Sequence, residues 1–147
     1  MHPIQFTIRE GLAQMDMPAV QTMLETAYWW AKTPETARDD ILKAAEHSAL
    51  VVGAFDETGR QIGYARVVSD YCRFAYIADV FVKEAHRGQG VGKAMIRRIQ
   101  QHADFGPGCR FLLVTRDAHD FYSALGFQVM GRPGDHLEWF RSPKEDK

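Results

Sequence analysis

Cysteine is scarce: Cys72 and Cys109 are the two in 147 residues, and they form no CxxC pair. That argues against a disulfide scaffold or a cysteine zinc site and suits a reducing cytosol. Long apolar runs are missing as well. The longest span five residues, Ala27 to Ala31 and Phe74 to Ala78, where a membrane helix needs roughly 20. The start, Met1-His2-Pro3-Ile4, lacks the basic region and apolar core of a secretory signal, so a cytoplasmic location is expected. A charge excess is also absent, since 18 Lys plus Arg face 19 Asp plus Glu for a net charge of −1. Nucleic acid is thus not an expected partner, because phosphate contacts need surplus cations. The six histidines show no HExxH or other ligand spacing, so no metal is expected. No repeat, low-complexity tract or linker divides the chain. Residues 1–141 are expected to form one domain, followed by a short charged tail, 142–147.

What is present is an ordinary globular composition, 46% hydrophobic and 25% charged. Ile4, Phe6 and Ile8 alternate with polar residues as a half-buried strand does. Asp16 with Pro18 starts a helix whose apolar face is Val20, Met23, Leu24, Ala27 and Tyr28. Thr33-Pro34-Glu35 starts a second, with Ala37, Ile41, Leu42 and Ala45 as its inward stripe. Ala49 to Phe55, Gln61 to Ser69 and Phe74 to Val82 read as strands, joined by connections too short for crossover helices. A helical pattern spans Gly90 to Ala103, and Gly106-Pro107-Gly108 breaks it before a strand at Arg110 to Val114. A short helix, Asp117 to Leu125, is capped by Gly126, and strands are expected at Phe127 to Met130 and His136 to Arg141. The order β-α-α-β-β-β-α-β-α-β-β defines an α+β fold. Its central sheet is mixed and mostly antiparallel, with flanking helices and one right-handed parallel crossover.

The segment richest in chemistry is Arg87-Gly88-Gln89-Gly90-Val91-Gly92-Lys93, between a strand and a helix. Glycines at alternate positions permit positive φ and close approach of backbone to a ligand. The helix start adds unpaired N–H groups and the positive dipole end, and Arg87 adds full charge. Together these describe a phosphate or pyrophosphate cradle. Spacing then sorts the cradles. GxGxxG from Gly88 fails because Lys93 stands at the third glycine, and a P-loop fails at Arg87 and Ala94.

The remaining pattern, Arg-x-x-Gly-x-Gly after Val80-Phe81-Val82, resembles the signature of the GNAT superfamily of acyl-CoA-dependent N-acyltransferases. A second block, Ala118-His119-Asp120-Phe121-Tyr122-Ser123-Ala124-Leu125-Gly126-Phe127, resembles that family's Ala-x-x-hydrophobic-Tyr-x-x-x-Gly-Phe pattern. The resemblance spans nearly the whole chain and implies a GNAT-like fold and acetyl-CoA as co-substrate. It implies that backbone groups of Phe81 and Val82 pair with the pantetheine arm. Backbone N–H groups of Arg87, Gly88, Gln89, Gly90, Val91, Gly92 and Lys93 would hold the pyrophosphate, and Ala118 and Phe121 would also meet the cofactor. Tyr122 would be the general acid toward the leaving thiolate. One position departs: Thr115 stands where many members carry Asn, seven residues before that Tyr.

Direct transfer to an amine needs a base, because an alkylamine is largely protonated at neutral pH. Asp79, the one charged residue between Phe74 and Val82, is the candidate; Asp70 or a water chain are alternatives. The other reading of Asp79 is a carboxylate satisfied by hydrogen bonds at a sheet irregularity. Trp29, Trp30, Tyr71, Phe74 and Tyr76 are candidates to line an apolar acceptor pocket, with core packing as the alternative. The expected activity is N-acetyl transfer to a primary amine of a small molecule, hydrophobic or aromatic, or of a peptide. The alternative is a CoA-binding sensor without efficient turnover. No surface stripe decides whether the chain forms a homodimer.

Overall fold

The computed structural model describes residues 4–30 and 37–142. The helix-start signal at Thr33-Pro34-Glu35 and most of the charged tail lie outside them. Backbone contacts divide the chain into two compact units, Met1–Thr115 and Arg116–Lys147.

The first unit is one sheet of five strands in chain order. β1 (Phe6–Glu10), β2 (Leu50–Asp56), β3 (Gln61–Ser69) and β4 (Phe74–Val82) pair antiparallel in succession. β5 (Arg110–Leu112) joins β4 in parallel, after the crossover through α3 (Val91–Gln100). α1 (Met17–Glu25) begins as its residues require: the Asp16 carboxylate accepts the Ala19 N–H at 3.2 Å, and Pro18 occupies the first turn. It ends at Glu25, so Ala27 and Tyr28 fall in the turns that follow. α2 (Ala37–Glu46) buries Ile41 and Ala45.

Helices cover both faces of this sheet. On one, Val20, Met23 and Leu24 of α1 and Ile41 and Ala45 of α2 close over Val51 and Tyr64. On the other, α3 buries Val91, Met95, Ile96 and Ile99. Gly63 makes room there, since a Cβ at that position would stand 3.1 Å from the Met95 methyl. β2, covered on both sides, is apolar almost throughout. No helix of the described residues is long and apolar enough to cross a membrane.

The second unit holds α4 (His119–Ser123). Gly126 follows at φ +96°, a left-handed C-terminal stop, and the Phe127 N–H returns to the Tyr122 carbonyl at 3.1 Å. The two last expected strands do not form. Residues 127–130 and 136–141 enter no ladder among the described residues. A strand exists through the neighbour that takes its N–H and C=O groups, and alternation alone supplies no neighbour. Leu137 and Trp139 are 95% and 79% exposed, so the apolar side chains of this segment meet no core.

Candidate functional site

Two features of β4 build the site. Its ladder with β5 covers only Phe74 to Tyr76, so the two strands part company beyond that point. On the other side, Tyr64 faces Phe81 while Arg66 faces Ala78, so β4 carries one extra residue between these pairs. This is a β-bulge. Asp79 lies in it at φ +54°, a left-handed conformation that Asp tolerates better than most side chains. The strand resumes at Val82. The Lys83 N–H donates to the Ile62 carbonyl at 2.9 Å, so by antiparallel alternation Val82 turns its own N–H and C=O away from β3.

The chain leaves β4 through a single 3-10 turn, Glu84–His86, and enters the glycine loop. Arg87 Nε donates to the Val82 carbonyl at 2.8 Å, and its guanidinium carbon lies 5.4 Å from the Phe81 ring centre. Gly88 and Gly90 stand at φ +73° and +88°, and a Cβ on either would meet nothing within 4 Å. The glycines therefore serve the turn itself, and the space beside them is open. Gly90 is the N-cap of α3 and contributes no side-chain cap. The first N–H groups of the helix accordingly stay available to a ligand. An open loop, a helix start and the Arg87 guanidinium offer N–H donors and positive charge to an anion.

Asp79 is 8% exposed, and with Gln61 it forms the buried polar set among the described residues. Its Oδ1 accepts the indole N–H groups of Trp29 and Trp30 at 2.8 and 2.9 Å, and its Oδ2 accepts Arg66 Nε at 2.6 Å. These contacts are those that the second reading of Asp79 requires. Tyr64 lies on the same face, one ladder step beyond, with a buried hydroxyl that has no partner among the described residues. Burial pushes the Tyr64 phenol well above the ordinary tyrosine range, and the nearby Asp79 charge adds to that, partly opposed by Arg66. Asp70 is spent differently. Its Oδ1 accepts the N–H groups of Cys72, Arg73 and Phe74, and these hold its carboxyl below the usual range, which makes it a poor base.

Of the aromatic candidates, Trp29 and Trp30 join Asp79, and Trp29 also meets Tyr28 edge-on at 5.1 Å. Phe74 and Tyr76 stack on each other at 6.5 Å on β4. Tyr71 stacks on Phe105 at 5.6 Å and donates its hydroxyl to the Ala49 carbonyl, so its contacts secure the β3–β4 turn. Arg66 belongs to the cluster without being among the residues expected there. A signal exists: it is the one charged residue in β3, beside the one charged residue of β4.

In the second unit Tyr122 is buried, with Phe121 and Phe127 edge-on at 4.9 and 5.7 Å. Burial pushes its phenol up to about 12. Among the described residues no group of three or more His, Cys, Asp or Glu side chains is placed to hold a metal ion.

The fourth strand of this mixed sheet bulges, parts from its parallel neighbour and runs through a glycine loop into a helix start. The acetyltransferase (GNAT) family model matches residues 16–127. The chain belongs to the GNAT acetyltransferase family. It is similar to a structure from Xanthomonas campestris pv. campestris described as belonging to the GNAT family. That similarity has 34% identity and a TM-score of 0.83, over 93% of this chain and 94% of that one. It is 38% identical over 75 residues to histone acetyltransferase TAP1 of Glycine max, covering 50% of this chain and 32% of that protein. Serotonin N-acetyltransferase 2, chloroplastic, of Oryza sativa subsp. japonica is 26% identical over 130 residues, 84% of this chain and 62% of that protein. The chain thus spans about a third of the length of the curated relatives it matches first.

Proposed function

We propose that this protein transfers an acetyl group from acetyl-CoA directly to a primary amine, and that the amine belongs to a small hydrophobic or aromatic molecule. The observation carrying the reading is the open glycine loop, Gly88 and Gly90 at positive φ ahead of α3, in a chain of the GNAT family. The N–H groups from Arg87 to Lys93 hold the pyrophosphate, and the outward N–H of Val82, whose carbonyl is taken by Arg87 Nε, receives the pantetheine arm as a strand edge would. The thioester supplies an activated acetyl carbon and a thiolate leaving group. In this reading Phe81 at the strand edge and Thr115 complete the cofactor's surroundings within the first unit.

Attack by the neutral amine puts charge on the carbonyl oxygen, and a backbone N–H in Val80 to Val82 stabilises it. Tyr122 serves the departing sulfur. A phenol near 12 giving its proton outright to a thiolate of pKa about 8.5 would be uphill by roughly 5 kcal/mol. Tyr122 therefore keeps its proton and acts by donating a hydrogen bond that shortens as the C–S bond breaks, while the proton shed by the attacking nitrogen passes through water and neutralises the thiolate.

The aromatic acceptor is supported by Tyr28 and Trp29, whose rings stay 49% and 41% exposed beside the Asp79 cluster. A relative whose name specifies serotonin, an arylalkylamine, points the same way. Histone acetyltransferase TAP1 points instead to a peptide amine. A thiol-release assay over an amine panel, run beside acetyl-CoA calorimetry, decides. Arylalkylamines are expected to outperform spermidine and a lysine peptide. Acetyl-CoA binding without turnover on any amine would make the chain a CoA-binding sensor.

A further inference from the structure

The geometry points to Asp79 as a positioning residue, an anionic clamp that docks the acceptor-side aromatic turn onto the strand carrying the transferred acetyl group. Three donors from two directions converge on this carboxylate. Trp29 and Trp30, in the turn that follows α1, both donate to Oδ1, across 50 and 49 residues of sequence. Arg66, from β3, donates to Oδ2. Adjacent residues of a strand or helix send their side chains apart, so two neighbouring indoles reaching one oxygen require a turn held in one conformation. The turn has its own closure, the Trp30 N–H to the Ala27 carbonyl at 3.1 Å. Trp30 also packs against the α1–α2 core, and the carboxylate ties both indoles to the sheet.

The bulge is what makes this reach available. Opposed residues share a face, so Tyr64 and Phe81 lie on the α1 side, as do Arg66 and Ala78. The extra residue lets Asp79 join that face at φ +54°, a backbone cost that the three hydrogen bonds offset. Each indole is held by its nitrogen, and Trp29 nevertheless remains 41% exposed. Anchored at one edge and open on the ring, it is a rigid wall for a flat or apolar acceptor. With Arg66 as its counter-ion, Asp79 supplies orientation rather than a free negative charge for the ammonium. The acceptor class follows: amines recognised by aromatic contact, not by charge pairing. The catalytic part of this inference rests on the acetyltransferase reading; the clamp itself does not.

The experiment uses the full chain with Trp139→Phe, which leaves Trp29 and Trp30 as the fluorophores. Asp79→Ala and Asp79→Asn are compared with a Trp29→Phe/Trp30→Phe double variant. Loss of the clamp is expected to red-shift the emission of Asp79→Ala and raise its acrylamide quenching, with Asn intermediate because its Oδ1 still accepts the indoles. In kinetics, acceptor KM should rise about tenfold or more in Asp79→Ala and in the double tryptophan variant. kcat and acetyl-CoA KM should stay within about threefold, and the acidic limb of kcat/KM should keep its midpoint. Combining Asp79→Asn with both tryptophan changes should add little, because one interaction has been removed twice. Unchanged quenching, or an acidic limb that disappears with kcat while KM holds, would overturn the clamp, the latter in favour of a base. Wild-type protein that acetylates no amine would sink the function reading alone, and the fluorescence would still decide the clamp.

Discussion

Arg66 Nε stands 2.6 Å from Asp79 Oδ2, an ion pair across β3 and β4 in which the two side chains are 16% and 4% exposed. Removing one member leaves a buried charge without its main partner. Arg66→Met is therefore expected to destabilise the fold by about 3 kcal/mol in denaturant titration. Arg66→Met with Asp79→Asn should recover most of that loss, since no net charge is then left inside. A single variant as stable as the wild type would show that the pair is solvated in solution.

Tyr64 presents the complementary case. Its side chain is fully buried in the α1–α2 core, yet its hydroxyl has no partner among the described residues. A buried polar group without a hydrogen bond costs stability, so Tyr64→Phe should be neutral or stabilising by about 1 kcal/mol. The same titration measures it. A clear loss would mean that a bound water or the acceptor itself satisfies the hydroxyl.

The two residues also show where sequence and structure part. β3 and β4 run from Gln61 to Ser69 and from Phe74 to Val82 as the apolar pattern predicts, because burial dictates both the pattern and the strand. The glycine loop is legible for a related reason: positive φ at Gly88 and Gly90 is a property of the backbone there, and glycine records it. The bulge leaves a different record: a lone carboxylate in an apolar strand suggests a sheet irregularity at Asp79, although no glycine marks its left-handed φ. Arg66 escapes a linear reading because an ion pair is a relation between strands, and a linear pattern shows one partner at a time. The last two expected strands fail for the same reason, since the residues of 127–130 and 136–141 name no neighbouring strand to pair with.

Gly90 allows strain to be separated from space. It stands at φ +88° with nothing within 4 Å of where a methyl would sit, and Gly59, in the β2–β3 turn, matches it in both respects. Gly90→Ala and Gly59→Ala should each cost about 1 kcal/mol of stability, the penalty of a left-handed alanine. Acetyl-CoA affinity, read by calorimetry, should fall about tenfold for Gly90→Ala alone, as the loop relaxes away from its anion-binding form. Equal affinity in the two variants would take the loop out of cofactor binding.

Tyr122 yields a prediction in pH. Burial raises its phenol to about 12, so the neutral form is favoured in the fold. The sign follows from linkage: the raised value contributes stability that is fully present below about pH 10 and is lost as pH rises through about 12. Catalytically, the donor stays protonated throughout the working range. kcat should show no alkaline fall from Tyr122 up to about pH 11, while Tyr122→Phe should lower kcat about 100-fold and leave acetyl-CoA affinity within a few-fold. Stopped-time assays across that range, with denaturation at each pH, test both halves. A fall in kcat centred near pH 10 that Tyr122→Phe abolishes would mean a solvated phenol, able to give up its proton far more readily than the buried one. Turnover unchanged in Tyr122→Phe would remove the residue from the reaction altogether, and departure of the thiolate would then need no protein donor.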